Sequence, residues 1–93
     1  MGHKIYRSVH VNGRRVIVLP KINSIATGEN IARLLKERKI KVADLKQILG
    51  VNSKESIYKW IRGQSLPSLE HLVILAHVLD VTMDEIIIIE RRA

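Results

Sequence analysis

The stretch from residue 42 to residue 62, VADLKQILGVNSKESIYKWIR, limits most tightly what this chain can fold into. Val42, Leu45, Ile48 and Leu49 recur at helical spacing and mark one apolar face. Gly50 follows where a helix would end, because glycine takes the left-handed backbone there without steric cost. Asn52 and Ser53 can each accept hydrogen bonds from the free N–H groups of a new helix. Ile57, Trp60 and Ile61 give that helix a second buried stripe at i, i+3, i+4, and Gly63 stops it. The spacing predicts two short helices joined by a tight turn and packed through these stripes. Lys54, Glu55, Tyr58 and Lys59 fall on the non-core side of the second helix. That polar, partly basic face suits a reader of DNA. It equally suits a helical hairpin whose charged face is merely solvated.

A turn of this length with a glycine in it makes the pair a helix-turn-helix. Charge bears on what its outer face meets. The whole chain has a formal charge of +7. Residues 1–62 hold fourteen Lys/Arg against four acids, a net +10, whereas residues 63–93 hold two against five, a net −3. A basic N-terminal two-thirds calls for a polyanionic partner, and nucleic acid is the commonest. Anionic membrane is the rival, but no basic amphipathic helix with a Trp/Phe-rich face is visible. With 93 residues the chain has the size of one domain. It has no cysteine, hence no disulfide framework, no thiol nucleophile and no Cys-based zinc site. No apolar run is long enough to span a bilayer, and the start, MGHKIYRSVHV, lacks the apolar centre of a signal peptide. A cytoplasmic location is the expectation.

The rest of the chain divides readily. Residues 4–19 read as a β-hairpin around Asn12-Gly13, the strongest short hairpin signal. A two-residue loop pairs Val11 with Arg14, Val9 with Val16 and Arg7 with Val18. Ile5, Val9, Val11, Val16 and Val18 then share an apolar face, and Pro20 ends the second strand. Residues 20–27 read as a connection, with Thr27 the expected cap of a first helix from Gly28 to Arg38 that buries Ile31, Leu34 and Leu35. Lys36, Arg38, Lys39 and Lys41 cluster at its end, where cations also suit the helix dipole. Ser68 is set to cap a fourth helix, Leu69 to Leu79, with Leu69, Leu72, Val73, Ala76 and Leu79 as its stripe. Ile74 and Val78 lie opposite, directed to the hairpin or a second subunit. Thr82 and Glu85 form a capping box for a short fifth helix. The isoleucines 86–89 fit either a helix turn or a strand. The expected organisation is mainly α: an arm and connection over residues 1–26, then a helix-turn-helix domain over 27–93.

With these helices, turns and caps in hand, residues 28–87 resemble the XRE or Cro/repressor class, the lambda-repressor-like five-helix bundle. The runs IARLLKERK, DLKQILGV, SIYKWIRGQSLPSLEHLVILAHVLDV and MDEII carry the likeness. The resemblance implies that the third helix enters the major groove. Lys54, Glu55, Tyr58 and Lys59 are then the base-contacting candidates. Lys41, Ser53, Arg62, Gln64 and Ser65 are the phosphate-contacting candidates. The chain departs from the class in having Val42 where a glutamine is frequent, and in a turn before Ile57 that reads one residue longer.

The expected activity is that of a sequence-specific DNA-binding regulator, a repressor acting as a homodimer on a palindromic operator. Ile74, Val78, Ile88 and Ile89 are the candidate dimer surface. Two alternatives use the same fold: an antitoxin-type protein that binds a partner through the hairpin, and an interaction module that has lost specific DNA binding. No catalytic constellation, phosphate loop or cofactor motif is visible. His71 and His77 are six apart and share no helix face, so no metal site is expected.

Overall fold

The computed structural model describes residues 8–17 and 20–91. The chain runs β1 (Ser8–Val11), β2 (Arg14–Ile17), β3 (Pro20–Ile22), α1 (Ser24–Glu37), α2 (Val42–Leu49), α3 (Lys54–Ile61), α4 (Leu69–Leu79), α5 (Met83–Ile86) and β4 (Ile89–Arg91). Five helices thus follow an N-terminal hairpin, as the residue pattern predicts. In the hairpin, Val11 pairs with Arg14 and Val9 with Val16 across the Asn12-Gly13 turn. Both turn residues have positive φ, 52° and 77°, as a type I′ turn requires. The expected Arg7–Val18 pair and the hairpin's outer residues lie outside the described residues.

Two expectations fail together around residue 20. The stretch from residue 20, expected to be a plain connection, instead opens with a third strand at Pro20. β3 pairs antiparallel with β4 at Pro20–Arg91, Lys21–Glu90 and Ile22–Ile89, and proline is tolerated at the first position of a strand. The first helix then starts at Ser24, capped by Asn23, whose Oδ1 accepts from the Ala26 N–H at 2.9 Å. Thr27 is therefore inside α1 and not its cap, and the expected boundary between residues 26 and 27 falls within that helix. Thr27 is buried, and its hydroxyl accepts from the Ile88 N–H at 2.9 Å and faces the Ile88 carbonyl at 3.5 Å. One turn on, the Asn30 amide donates to the carbonyls of Glu85 and Ile86 at 2.7 and 2.9 Å. Asn23, Thr27 and Asn30 follow i, i+4, i+7, a polar stripe that holds the backbone and side chains of residues 85–90.

The core is built from Ile31, Leu34, Leu35, Leu45, Leu49, Ile57, Trp60, Leu72, Leu75, Leu79 and Ile86. Each such side chain contributes about 1.5–3 kcal/mol when fully buried, so the bundle rests on this set. Two stripes differ from expectation. Ile48 is 51% exposed, because Leu45 and Leu49 already occupy the space under α2. On α4 the core side is Leu72, Leu75 and Leu79, while Leu69 and Val73 are 81% and 53% exposed. With an apolar residue on nearly every side, α4 offers more than one stripe at helical spacing, and packing selects Leu72, Leu75 and Leu79 over the expected one. The isoleucines divide between the two structures their sequence allowed: Ile86 closes α5 inside the core and Ile89 opens β4.

Gly28 lets the backbones of α1 and α3 approach closely. A Cβ built on it would lie 2.2 Å from the Trp60 carbonyl oxygen and 2.6 Å from that of Ile61. Glycine inside a helix normally costs about 0.5–1 kcal/mol relative to alanine. Here the sign reverses, because the obstruction is backbone and cannot rotate away. Gly28→Ala is expected to destabilise the fold by about 3 kcal/mol, the upper part of the overpacking range. A urea titration followed by circular dichroism reads this directly; an unchanged or raised midpoint would contradict the α1–α3 contact.

The capping box of α5 carries a pH dependence. The Thr82 N–H donates to Glu85 Oε1 at 2.8 Å, and the Thr82 hydroxyl engages the Glu85 N–H at 3.2 Å. The bond from the Thr82 N–H first, and then the Thr82 hydroxyl, whose own hydrogen is left to face the carboxylate, hold the Glu85 carboxyl below its ordinary value of 4.5, assisted by the charge of Arg38. A carboxylate lowered in the folded state contributes stability above its unfolded value, and that contribution is lost as pH falls through the folded one. Glu85→Gln keeps the acceptor and removes the titration. Unfolding midpoints measured from neutral pH to about pH 3 should therefore fall more steeply in the wild type than in this variant.

Candidate nucleic-acid interface

An isolated helix of eight residues is marginal in water, so the direction α3 faces is set by what seats it. Ile57 is fully buried and Trp60 only 5% exposed. The His71 ring lies against Trp60, with centroids 5.6 Å apart and planes tilted by 48°. Below, α3 ends on α1 at Gly28, and Gly63, at φ +76°, turns the chain against Ile25. Above, Gly50 ends α2 in the left-handed region, and half-buried Val51 packs onto the core. The Ser53 hydroxyl starts α3 by accepting from the Glu55 N–H at 3.2 Å. Held at both ends, α3 turns Lys54, Glu55, Tyr58, Lys59 and, just past its end, Arg62 to solvent.

An open groove of about 480 Å³ runs between the end of α1, the start of α2 and this outer face. Its apolar lining includes Leu35, Ile40, Val42 and Ile61, and its polar lining is Lys36, Lys41, Lys54 and Tyr58. No carboxylate lines it. Three ammonium groups around one trough attract a polyanion over roughly a Debye length, about 8–10 Å in ordinary salt. Val42, the departure from the class pattern, gives the trough an apolar side where a glutamine would give a polar one. The chemistry on offer is therefore charge for phosphates and apolar contact for sugars.

The expected site residues fall into separate groups. Lys41, Lys54 and Tyr58 come together in the groove, and Lys59 stands exposed on α3. Glu55 and Arg62 form an ion pair at 2.5 Å, and the same Arg62 Nη2 donates to Gln64 Oε1 at 3.2 Å. Ser53 uses an oxygen lone pair as a cap, which leaves its hydroxyl hydrogen free to donate. Ser65 is exposed in the following loop, its N–H directed at the Lys59 carbonyl at 3.4 Å. Ile74 and Val78 are half-buried and pack against the core, while Ile88 and Ile89 are 37% and 51% exposed. Among the described residues no three His, Cys, Asp or Glu side chains are grouped to hold a metal ion. No described helix is long and apolar enough to cross a membrane.

Residues 31–86 match the model of the helix-turn-helix family. The chain belongs to the helix-turn-helix family. Membership supports a DNA-binding transcription regulator. The fold is similar to the crystal structure of the restriction-modification controller protein C.AhdI from Aeromonas hydrophila, with a TM-score of 0.60 and 22% identity over 67% of this chain and 92% of that one. At that identity the likeness is one of fold. No curated protein matches the sequence.

Lys36 is the groove residue that sequence reasoning set aside. It belongs to the cluster at the end of α1, where the helix dipole already accounts for a cation. The structure divides that cluster by use. Arg38 Nε donates to the Leu79 carbonyl at 2.8 Å and closes the end of α4, and Lys39, at φ +58°, turns the chain out of α1. Lys36 instead lines the groove. Its position one short loop before Lys41 is the signal that was available. Lys36→Ala should weaken binding to all DNA sequences about equally and lower the magnitude of the salt slope by about 0.9 per chain. A fluorescence titration at several salt concentrations checks it, and an unchanged slope would remove Lys36 from the interface.

Proposed function

We propose that this chain is a transcriptional repressor that binds a palindromic operator as a homodimer. The observation that carries the reading is the carboxylate-free lysine groove beside the outward face of α3. α3 lies in the major groove. Lys54 and Lys59 donate to guanine O6/N7, Glu55 accepts from cytosine N4, and Tyr58 covers a thymine methyl or a sugar. Lys41, Ser53, Arg62, Gln64 and Ser65 meet phosphates, which fix position without reading sequence. Repression needs nothing further, since an occupied promoter is closed to polymerase.

Dimerisation follows from the demand for specificity. One recognition helix reads only a few base pairs, and two-fold symmetry doubles that while spacing the helices about 34 Å apart. Ile74, Val78, Ile88 and Ile89 form the proposed contact, joined by Leu69 and Val73, the most exposed apolar residues of α4. Residues 63–93 carry the net acidic charge, which favours holding this end of the molecule away from DNA.

Selection of bound sequences from a random DNA pool is expected to enrich a palindrome. Log affinity for it should fall linearly with log salt, with a slope near −5 for about six phosphates. Lys54→Ala should cost ~1–3 kcal/mol on the selected site and relax preference at one base pair per half-site. No enrichment, or a slope near zero, would sink the reading. Protein that sediments as a monomer at tens of micromolar, with operator as without, would refute the homodimer.

A further inference from the structure

The outer face of α3 contains one carboxylate, and that carboxylate is already occupied. Glu55 accepts from Arg62 Nη2 at 2.5 Å across two helical turns, and Gln64 Oε1 accepts from the same nitrogen at 3.2 Å. Both charged side chains remain about half exposed, 57% for Glu55 and 44% for Arg62. A pair so wet holds weakly by itself. Its consequence comes from where it sits. A free carboxylate lowered between two strands of phosphate is repelled by both, whereas the Glu55–Arg62 pair enters as a neutral unit.

From this arrangement we propose that Glu55 is a positioning residue that makes the phosphate contact of Arg62 conditional on base sequence. The proposal rests on the DNA reading given above and deepens it. On a site that presents a cytosine N4 amine to Glu55, the carboxylate exchanges the guanidinium for the amine. Arg62 is then released to a phosphate, and both charges stay paired. On a site without that amine, releasing Arg62 would strand Glu55 against the phosphates. The guanidinium stays on Glu55 and the phosphate contact is not made. A backbone contact that carries no sequence information by itself thereby acquires some. Gln64 engages Arg62 only through its Oε1 in the free protein, so its amide hydrogens can donate to the DNA backbone whether or not Arg62 leaves.

The number of phosphates neutralised is read from the salt slope, about 0.9 per phosphate. The wild type should show a steeper slope on the selected operator than on a scrambled duplex of equal length, by about 0.9 per half-site beyond any other difference. Glu55→Gln removes the carboxylate while keeping side-chain size and exposure. Arg62 is then free on every sequence, so this variant should bind the scrambled duplex more tightly, with a slope steeper by about 0.9 per chain than the wild type's. Arg62→Gln should flatten the operator slope by about 0.9 per half-site, whereas on the scrambled duplex it removes no phosphate contact and weakens binding only through repulsion of the now unpaired Glu55 carboxylate. Circular dichroism of both variants confirms the fold, and both substitutions lie at exposed positions. Scrambled-duplex slopes equal in wild type and Glu55→Gln would overturn the proposal. So would an Arg62→Gln variant that loses as much slope on the scrambled duplex as on the operator. Failure of the underlying DNA reading looks different: wild-type protein that binds neither duplex in a salt-dependent way.

Discussion

The α1 backbone meets the last carbonyls of α3 at Gly28, and the remaining architecture depends on how close that approach is. Because no side chain separates the two helices there, α3 is seated backbone to backbone. Side-chain packing alone leaves a helix some freedom to roll or slide. A backbone contact at van der Waals distance removes it. Ile57 and Trp60 then set the rotation of α3 about its own axis, and Gly63 folds the following loop onto Ile25 at the same end. The polar face of α3 points outward as a result of these three constraints. Its own eight residues could not hold that direction.

What the sequence disclosed, and what it hid, follows the range of the interactions involved. The helix-turn-helix was legible because its determinants are local. Gly50 and Gly63 adopt positive φ, Ser53, Ser68 and Thr82 cap the helices they precede, and the periodicity of α3 places Ile57 and Trp60 inward. The β3–β4 pair was not legible. Each strand has three residues, and the partners stand nearly seventy positions apart, so no local pattern announces them. The same holds for Asn23, Thr27 and Asn30. Their i, i+4, i+7 spacing was present in the sequence, but a polar stripe ordinarily means solvent. Here it means that the opposing segment offers backbone groups needing partners. Thr27 next to Gly28 resembles a cap from local chemistry alone. Its true surroundings are the N–H and carbonyl of Ile88.

The candidate interface was legible in kind and only partly in arrangement. Net charge and helical phase identify the residues that face outward, and the structure has all of Lys54, Glu55, Tyr58 and Lys59 exposed. Phase does not reveal that Glu55 and Arg62 meet, because an i, i+7 pair depends on rotamers and on the loop after the helix. Nor does it separate Lys36 from Arg38, whose guanidinium is directed to the end of α4 by tertiary packing. Sequence-level charge counting treats these cations as one cluster. The fold assigns one to hold two helices together and leaves the other at the groove.

α1 joins the two ends of the molecule that a dimeric regulator would use. With fourteen residues it is about 21 Å long. Its Gly28 side carries α3, and its Asn23–Thr27–Asn30 stripe carries residues 85–90, which include the exposed Ile88 and Ile89. In the proposed homodimer, two apolar surfaces pressed together at the second place would fix the separation of the two α3 helices at the first only if nothing between them yields. The connection is well suited to that demand. On one side lies a backbone contact with no side chain to rearrange. On the other lie hydrogen bonds from short, partly buried side chains whose breakage would leave backbone groups unsatisfied, at about 1–3 kcal/mol each. A softer linkage through long exposed side chains would let the half-site spacing drift, and two-fold symmetry would double the error. Carrying both surfaces on the one helix α1 would keep that error small.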